Sequence, residues 1–217
     1  MPNIREYSRR NDGDKKASEN FYLREFACKD GSDYFKIDND LFPIIQRFRQ
    51  YVESPVTISS AYRNENYNKQ VGGASGSYHV KGQAIDVLFN SNFKYLKSPY
   101  KMAEFFNTLK VPSIILYDWG VHIDTRDYIN HIEKINNGYK DITINKINIP
   151  LYNLLQKGSN NNEVGCLQFM LQKIGYNIEV DEKFGVITEE KVKDFQIKNN
   201  LINDGIVGNL TWNKLIN

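Results

Sequence analysis

Ser77-Tyr78-His79-Val80-Lys81-Gly82-Gln83-Ala84-Ile85-Asp86 and the later Val121-His122-Ile123-Asp124 are the stretches from which the fold can be worked out. Two of the chain's three histidines fall in them, each close to an aspartate. Ala84 to Phe89 reads as a strand whose period-two alternation puts Ala84, Asp86 and Leu88 on one face. Val121 to Arg126 reads as a second, with His122, Asp124 and Arg126 sharing a face and Val121, Ile123 and Thr125 turned inward. An acid in so apolar a run is costly to bury unpaired, so Asp86 calls for a metal or a strong hydrogen-bond partner.

Working outward, a polar arm expected to be mobile precedes Phe21-Tyr22-Leu23 and Phe26, where the fold is predicted to begin, at about residue 20. Asp38 or Asn39 can cap a helix carrying Leu41, Ile45, Phe48 and Val52 on one stripe, with Pro43 tolerated in its first turn. Val56 to Ser60 is a β-rich run that delivers Ala61-Tyr62-Arg63 to its end. Asn64 to Val71 then reads as a short helix stopped by Gly72-Gly73. Pro99 to Lys110 has helical spacing, Ile114 to Tyr117 is a strand, and Asp118-Trp119-Gly120 is a turn.

From residue 135 to 153 the text becomes rich in Asn, Lys and Ile without a sustained period, and reads as a connection with a stray strand at Ile142 to Ile149. Beyond it lies an internal repeat. Asp181-Glu182-Lys183-Phe184-Gly185-Val186-Ile187-Thr188 and Asp204-Gly205-Ile206-Val207-Gly208-Asn209-Leu210-Thr211 share an Asp-x-x-apolar-Gly-x-x-Thr pattern. Each threonine is placed to cap a following helix. With a helix from Glu163 to Ile174 this gives a three-helix unit. The predicted division is 1–134, a connection over 135–153, and 154–217.

Composition sets outer limits. Hydrophobic and charged fractions of 41% and 25% in 217 residues predict a soluble globular protein with enough apolar surface to close a core. A charge of +2, from 28 basic and 26 acidic residues, argues against nucleic-acid binding by electrostatics. Nothing reaches the ~18 consecutive apolar residues of a membrane span, and Met1 to Lys16 holds no signal-peptide core. The chain is expected to act as a monomer without a membrane partner. Cys28 and Cys166 lie far apart, suggest no disulfide framework, and fit synthesis in a reducing compartment.

A hydrolytic zinc site uses three protein ligands and one open position, and His79, Asp86 and His122 supply suitable donors. Amide hydrolysis also needs a proton carrier and a cation near the developing oxyanion. Asp124 could be that base or could orient a ligand imidazole from behind. Asp118 is the rival base, and Arg63 the cationic clamp. The blander alternative for each is a satisfied core pair or a surface ion pair. His131 reads as an exposed helical residue without a catalytic role.

Ser-x-His-x-x-Gly-x-Ala-x-Asp at 77–86, Ser60-Ala61-Tyr62-Arg63, and Val121-His122-Ile123-Asp124 together resemble the zinc D-alanyl-D-alanine carboxypeptidase family, which includes the L-alanyl-D-glutamate peptidases of phage endolysins. The similarity runs from about residue 20 to 127, through Glu25 to Lys29, Tyr67-Asn68 and Val71-Gly72-Gly73. It implies an α+β peptidase domain with a small antiparallel sheet flanked by helices. It also implies zinc on His79, Asp86 and His122, with Arg63 polarising the carbonyl. Many members carry the catalytic acid three residues before the last histidine, where this chain has Trp119; strand geometry then favours Asp124 over Asp118 as base.

Residues 155–215 resemble the three-helix peptidoglycan-binding domain, through Val164-x-x-Leu167-Gln168-x-x-Leu171, Gly175-Tyr176, both repeat turns and Phe195-Gln196. Glu182 stands where a glycine is frequent, a change expected to stiffen or alter that turn. These positions form core and turns, so they assign no binding residues. Together the resemblances imply a zinc peptidase of bacterial peptidoglycan, of endolysin type and reaching the wall without a standard signal. The alternatives are a D,D-carboxypeptidase or a non-catalytic wall-binding protein.

Overall fold

The computed structural model describes residues 2–136, 138–147 and 154–216. The two alternating runs form β6 (Ala84–Leu88) and β8 (Gly120–Asp124), paired antiparallel with Asp86 opposite His122 and Ala84 opposite Asp124. Their inward side chains Ile85, Val87, Val121 and Ile123 are fully buried, which fixes the register, because a slip of one residue would turn all of them to the other face. β5 (Ile58–Ser60), β7 (Ser113–Tyr117), β9 (Asn130–Ile135) and β10 (Gly138–Asp141) complete the sheet. Its order is β10-β9-β7-β8-β6-β5 among the described residues.

The sheet departs from the expected antiparallel form at one pair, since β9 runs parallel to β7. β8 returns the chain to the end where β7 starts, and residues 125–129 set β9 off from that same end along β7's free edge. His131 therefore lies on a strand rather than a helix, half-buried beside Ile114.

Two helices cover the sheet's buried face. α2 (Leu41–Val52) presents the predicted stripe of Leu41, Ile45, Phe48 and Val52, all fully buried. α5 (Pro99–Thr108) starts where Ser98 accepts a hydrogen bond from Lys101 N, with Pro99 in the first turn, where its missing N–H costs nothing. Phe48 stacks on Phe106 with ring centroids 4.8 Å apart, so the helices share one aromatic core. Each such side chain contributes about 1.5–3 kcal/mol on burial.

The N-terminal arm is ordered, contrary to the expectation of mobility before residue 20. β1 (Ile4–Ser8) pairs antiparallel with β4 (Tyr34–Asp38), and Tyr7 stacks on Phe35 at 5.4 Å. α1 (Arg9–Asp12), β2 (Lys16–Ser18) and β3 (Phe21–Tyr22) follow. Backbone pairing with a strand some 30 residues away holds this arm, and its composition carries little trace of that.

Residues 138–147 likewise do more than connect. The strand lies at β10, earlier than the expected 142–149; residues 142–147 form none, and 148 and 149 fall outside the described residues. Ile144 is buried, and Ile142 and Ile147 pack against the core.

The C-terminal unit comprises α6 (Asn162–Lys173), α7 (Val186–Lys198) and α8 (Asn209–Ile216). The repeat threonines are not N-caps: Thr188 and Thr211 lie inside their helices and donate back to Lys183 O and Ile206 O. Their hydroxyls complete two matching networks around Gln168 and Gln196. Gln168 Nε2 donates to Asp181 Oδ1, Lys183 O and Thr188 Oγ1 at 2.7–3.1 Å. Gln196 repeats this with Asp204 Oδ1, Ile206 O and Thr211 Oγ1 at 2.9–3.2 Å. Glu182 does not alter its turn: it takes φ 62°, close to the 75° of its counterpart Gly205, and so carries the left-handed strain a glycine would avoid.

α6 packs on α2 at Gly165, where a Cβ would sit 2.8 Å from Pro43 Cβ, and the buried Cys166 thiol donates to Pro43 O at 3.2 Å. Cys28 is also buried and free. No helix among the described residues is long and apolar enough to cross a membrane.

Candidate metal centre

Three short elements bring the donors together. α3 (Glu65–Gln70) and the Gly72–Ser77 loop lead into α4 (Tyr78–Lys81), a single turn whose start is set by Ser77 Oγ accepting from His79 N at 3.3 Å. Gly82 ends it at φ 75°, packed so closely on Lys36 O that a Cβ would lie 2.7 Å away. His79 is thereby held over β6, facing Asp86, with His122 beside both on β8.

Asp86 Oδ1 lies 3.1 Å from His79 Nε2 and 2.8 Å from His122 Nδ1, and those two nitrogens are 3.1 Å apart. The triangle is slightly tighter than the ~3.3 Å edge of a zinc tetrahedron with bonds near 2.0–2.1 Å. The far side of each ring is tied. His79 Nδ1 donates to Ala61 O at 2.6 Å, and His122 Nε2 donates to Asp124 Oδ2 at 3.1 Å. These bonds fix the tautomers so that both remaining lone pairs converge with the carboxylate oxygen, the arrangement that suits a divalent metal. Among the described residues this is the His/Cys/Asp/Glu group that could hold one.

Burial opposes charge throughout the centre. It lowers the pKa of His79 despite the Asp86 carboxylate. At His122 burial acts in the same direction, but Asp124 and Asp86 outweigh it and raise the pKa to about 9. Asp86 is desolvated too, yet His122 and His79 hold it well below the usual carboxylate range. A metal cation would substitute for the proton that these carboxylates otherwise retain on the imidazole.

The remaining predicted residues fall in different places. Arg63 lines the cleft, with Nε on Ser60 Oγ and Nη2 on Asp86 Oδ2, both at 2.7 Å. Asp124 is fully buried behind His122, gripped by Arg126 through Nε to Oδ1 at 2.7 Å and Nη2 to Oδ2 at 2.6 Å. Asp118 is exposed and borders a separate depression with Lys134 and Asn136. The cleft over the three donors has a volume of about 380 Å³, and Asp86 is the carboxylate among its described lining residues. Neither candidate base opens into it.

Sequence reasoning passed over two supports. Arg126 was visible on the His122 face, but its fork onto Asp124 was not. Ala61 acts through its carbonyl, which leaves no residue-type signal. The cleft's other wall is aromatic, with Tyr117, Trp119 and Tyr139.

Two imidazoles, one on α4 and one on β8, and a carboxylate on β6, with both tautomers pinned, form the kind of donor set that metallohydrolases use. Residues 17–124 match the Peptidase M15 family model and residues 160–215 match a peptidoglycan-binding domain model. The chain carries a Peptidase M15 domain followed by a peptidoglycan-binding domain.

No curated protein matches the chain. A solved peptidoglycan-binding protein from Clostridioides difficile, in complex with glutamine hydroxamate, is 44% identical over 29% of this chain and 39% of its own, with a TM-score of 0.28. A fused Zn-dependent amidase/peptidase/peptidoglycan-binding domain-containing protein from Clostridium acetobutylicum is 40% identical over 29% of this chain and 28% of its own, also at 0.28. The matches thus span less than half of either chain.

Proposed function

We propose that this protein hydrolyses an amide bond in the peptide part of bacterial peptidoglycan, acting as an endolysin-type peptidase with His79, Asp86 and His122 as its zinc ligands. The observation that carries this reading is the convergence of Nε2, Oδ1 and Nδ1 within 2.8–3.1 Å, with the opposite ring nitrogens hydrogen-bonded elsewhere. Bound there, zinc supplies Lewis acidity and lowers the pKa of water to about 7.

The protein's own residues divide the remaining work. Arg63 holds the outer oxygen of Asp86 and presents a cation at the cleft wall, where a substrate carbonyl gains negative charge. Asp124 is assigned as a positioning residue: it keeps the His122 tautomer that frees Nδ1, and Arg126 keeps Asp124 ionised and oriented. The C-terminal module holds the enzyme on an insoluble polymer, raising the local concentration of scissile bonds without adding chemistry.

The test is mass spectrometry of purified peptidoglycan digested by the zinc-loaded protein. New internal amino termini in the stem or cross-bridge peptides are expected, and their masses name the bond. Release of D-alanine alone would replace this reading with a D,D-carboxypeptidase. Wall binding by zinc-loaded protein with no hydrolysis would overturn the enzymatic assignment.

A further inference from the structure

Trp119 occupies the turn between β7 and β8 with 38% of its surface open, lining the cleft above the buried His79, Asp86 and His122. Its position is enforced. Phe89 N donates to Trp119 O at 2.8 Å, and a Cβ on the adjoining Gly120 would collide with Val87 O. Its ring lies 4.5 Å from that of Tyr117 at an interplanar angle of 19°, a near-parallel stack. Tyr139 also lines the cleft, with Lys134 Nζ 4.6 Å from its ring centroid. The result is a stacked aromatic pair lining the same cleft as His79, Asp86 and His122.

We infer that the Tyr117–Trp119 stack is a sugar-binding subsite that receives the C–H face of a pyranose ring from the glycan strand while the attached peptide lies over the metal centre. This deepens the proposed function and rests on it for the identity of the polymer. The stem peptides of that polymer offer carboxylates, amines and short aliphatic side chains, which suit the cationic Arg63 and Arg126 of the same cleft better than a flat neutral surface. Its sugar rings offer a broad C–H face with a polar rim. An aromatic ring packs on the face, and hydroxyls such as that of Tyr139 reach the rim. Pre-ordering of both rings lowers the entropic cost of binding.

The chain has two tryptophans, and Trp212 is 1% exposed, so a ligand-induced change in indole emission reports on Trp119. The probe is the peptide-free disaccharide of N-acetylglucosamine and N-acetylmuramic acid. A saturable emission change is expected in the wild type and none in Trp119→Leu, with the retained Trp212 emission showing that the variant folds. In hydrolysis, Trp119→Leu should raise KM about tenfold for a disaccharide-linked peptide and leave a sugar-free stem peptide within twofold, with Trp119→Phe recovering much of the loss. No saturable signal with the disaccharide, or equal losses on both substrates, would overturn the subsite. If the wild type bound the disaccharide but cleaved neither substrate, the subsite would stand and the peptidase reading would fall.

Discussion

Gln168 and Gln196 in the C-terminal helices are as deeply buried as His79, Asp86 and His122 at the metal centre, at 1% exposure against 3–7%. Their surroundings differ in kind. Each glutamine amide nitrogen shares its two protons among three acceptors, and its oxygen accepts one or two backbone N–H groups, so little hydrogen-bonding capacity is left for a ligand. At the metal centre, two imidazole nitrogens and a carboxylate oxygen point at one another, and a proton or a cation between them is what satisfies all three. A closed network specifies a fold, whereas a convergent set of acceptors requires a guest.

The contrast can be broken most severely at the sheet. His122→Ala should abolish zinc retention and reduce peptidoglycan hydrolysis below roughly a thousandth of wild type, and should also lower the thermal stability of the apoprotein, because the buried Asp86 and Asp124 carboxylates lose their shared imidazole partner. Metal analysis and turbidity assays read the two effects together. Zinc retained at about one per chain would remove His122 from the ligand set.

Asp124→Asn separates a base from a positioning group. A positioning role predicts a loss of about 10- to 100-fold in zinc affinity, measured by competition with a chelator, with hydrolysis recovering at saturating zinc. A loss that persists at saturating zinc would restore Asp124 to proton transfer.

In the helical unit the corresponding change acts on stability alone. Gln168→Ala leaves the Asp181 and Glu182 N–H groups without their acceptor and should cost about 2–3 kcal/mol in denaturant unfolding of that module. Zinc stoichiometry should not change. A matching loss of zinc would mean that the two regions are not separable in the way the contrast requires.

A smaller effect lies where the two regions meet. Asp40 is buried with one carboxylate oxygen unpartnered, and desolvation together with the neighbouring Asp38 raises its pKa to about 7 against the opposing charge of Lys173. Its folded pKa exceeds its unfolded one, so its contribution to stability is complete below about pH 4 and is lost as pH rises to 7, by at most ~1.4 kcal/mol per pH unit. Asp40→Asn should flatten that slope in urea titrations at several pH values, and an unchanged slope would assign it to other groups. Smallest of all, Asp118→Asn is expected to leave hydrolysis within about twofold, since the exposed turn carboxylate borders another depression. A hundredfold fall in kcat would make Asp118 the base.

The strands bearing Asp86 and His122 were legible in the sequence because burial of one sheet face enforces strict alternation. The α2 stripe was legible for the corresponding helical reason. β1 and β10 were not, because edge strands held by backbone pairing need little apolar patterning of their own. The strand that carries His131 leaves as little trace for the same reason: none of Asn130–Ile135 is fully buried, so no alternation marks it. The repeat threonines were identified correctly as special, but their role was hidden, because a hydroxyl can cap a helix or close a turn with equal local plausibility.

Sequence by itself determined the donor types, the two strands that carry Asp86 and His122, and the two-part organisation of the chain, because residue chemistry and periodicity are local properties. Tertiary structure decided how the acids are divided. Asp86 faces the centre, Asp124 stands behind His122 in the grip of Arg126, and Asp118 turns away, although all three are aspartates on or beside strands of one sheet. Spacing along the chain fixes which face of a strand a side chain occupies. Which nitrogen of a neighbouring imidazole it meets depends on packing between strands far apart in sequence.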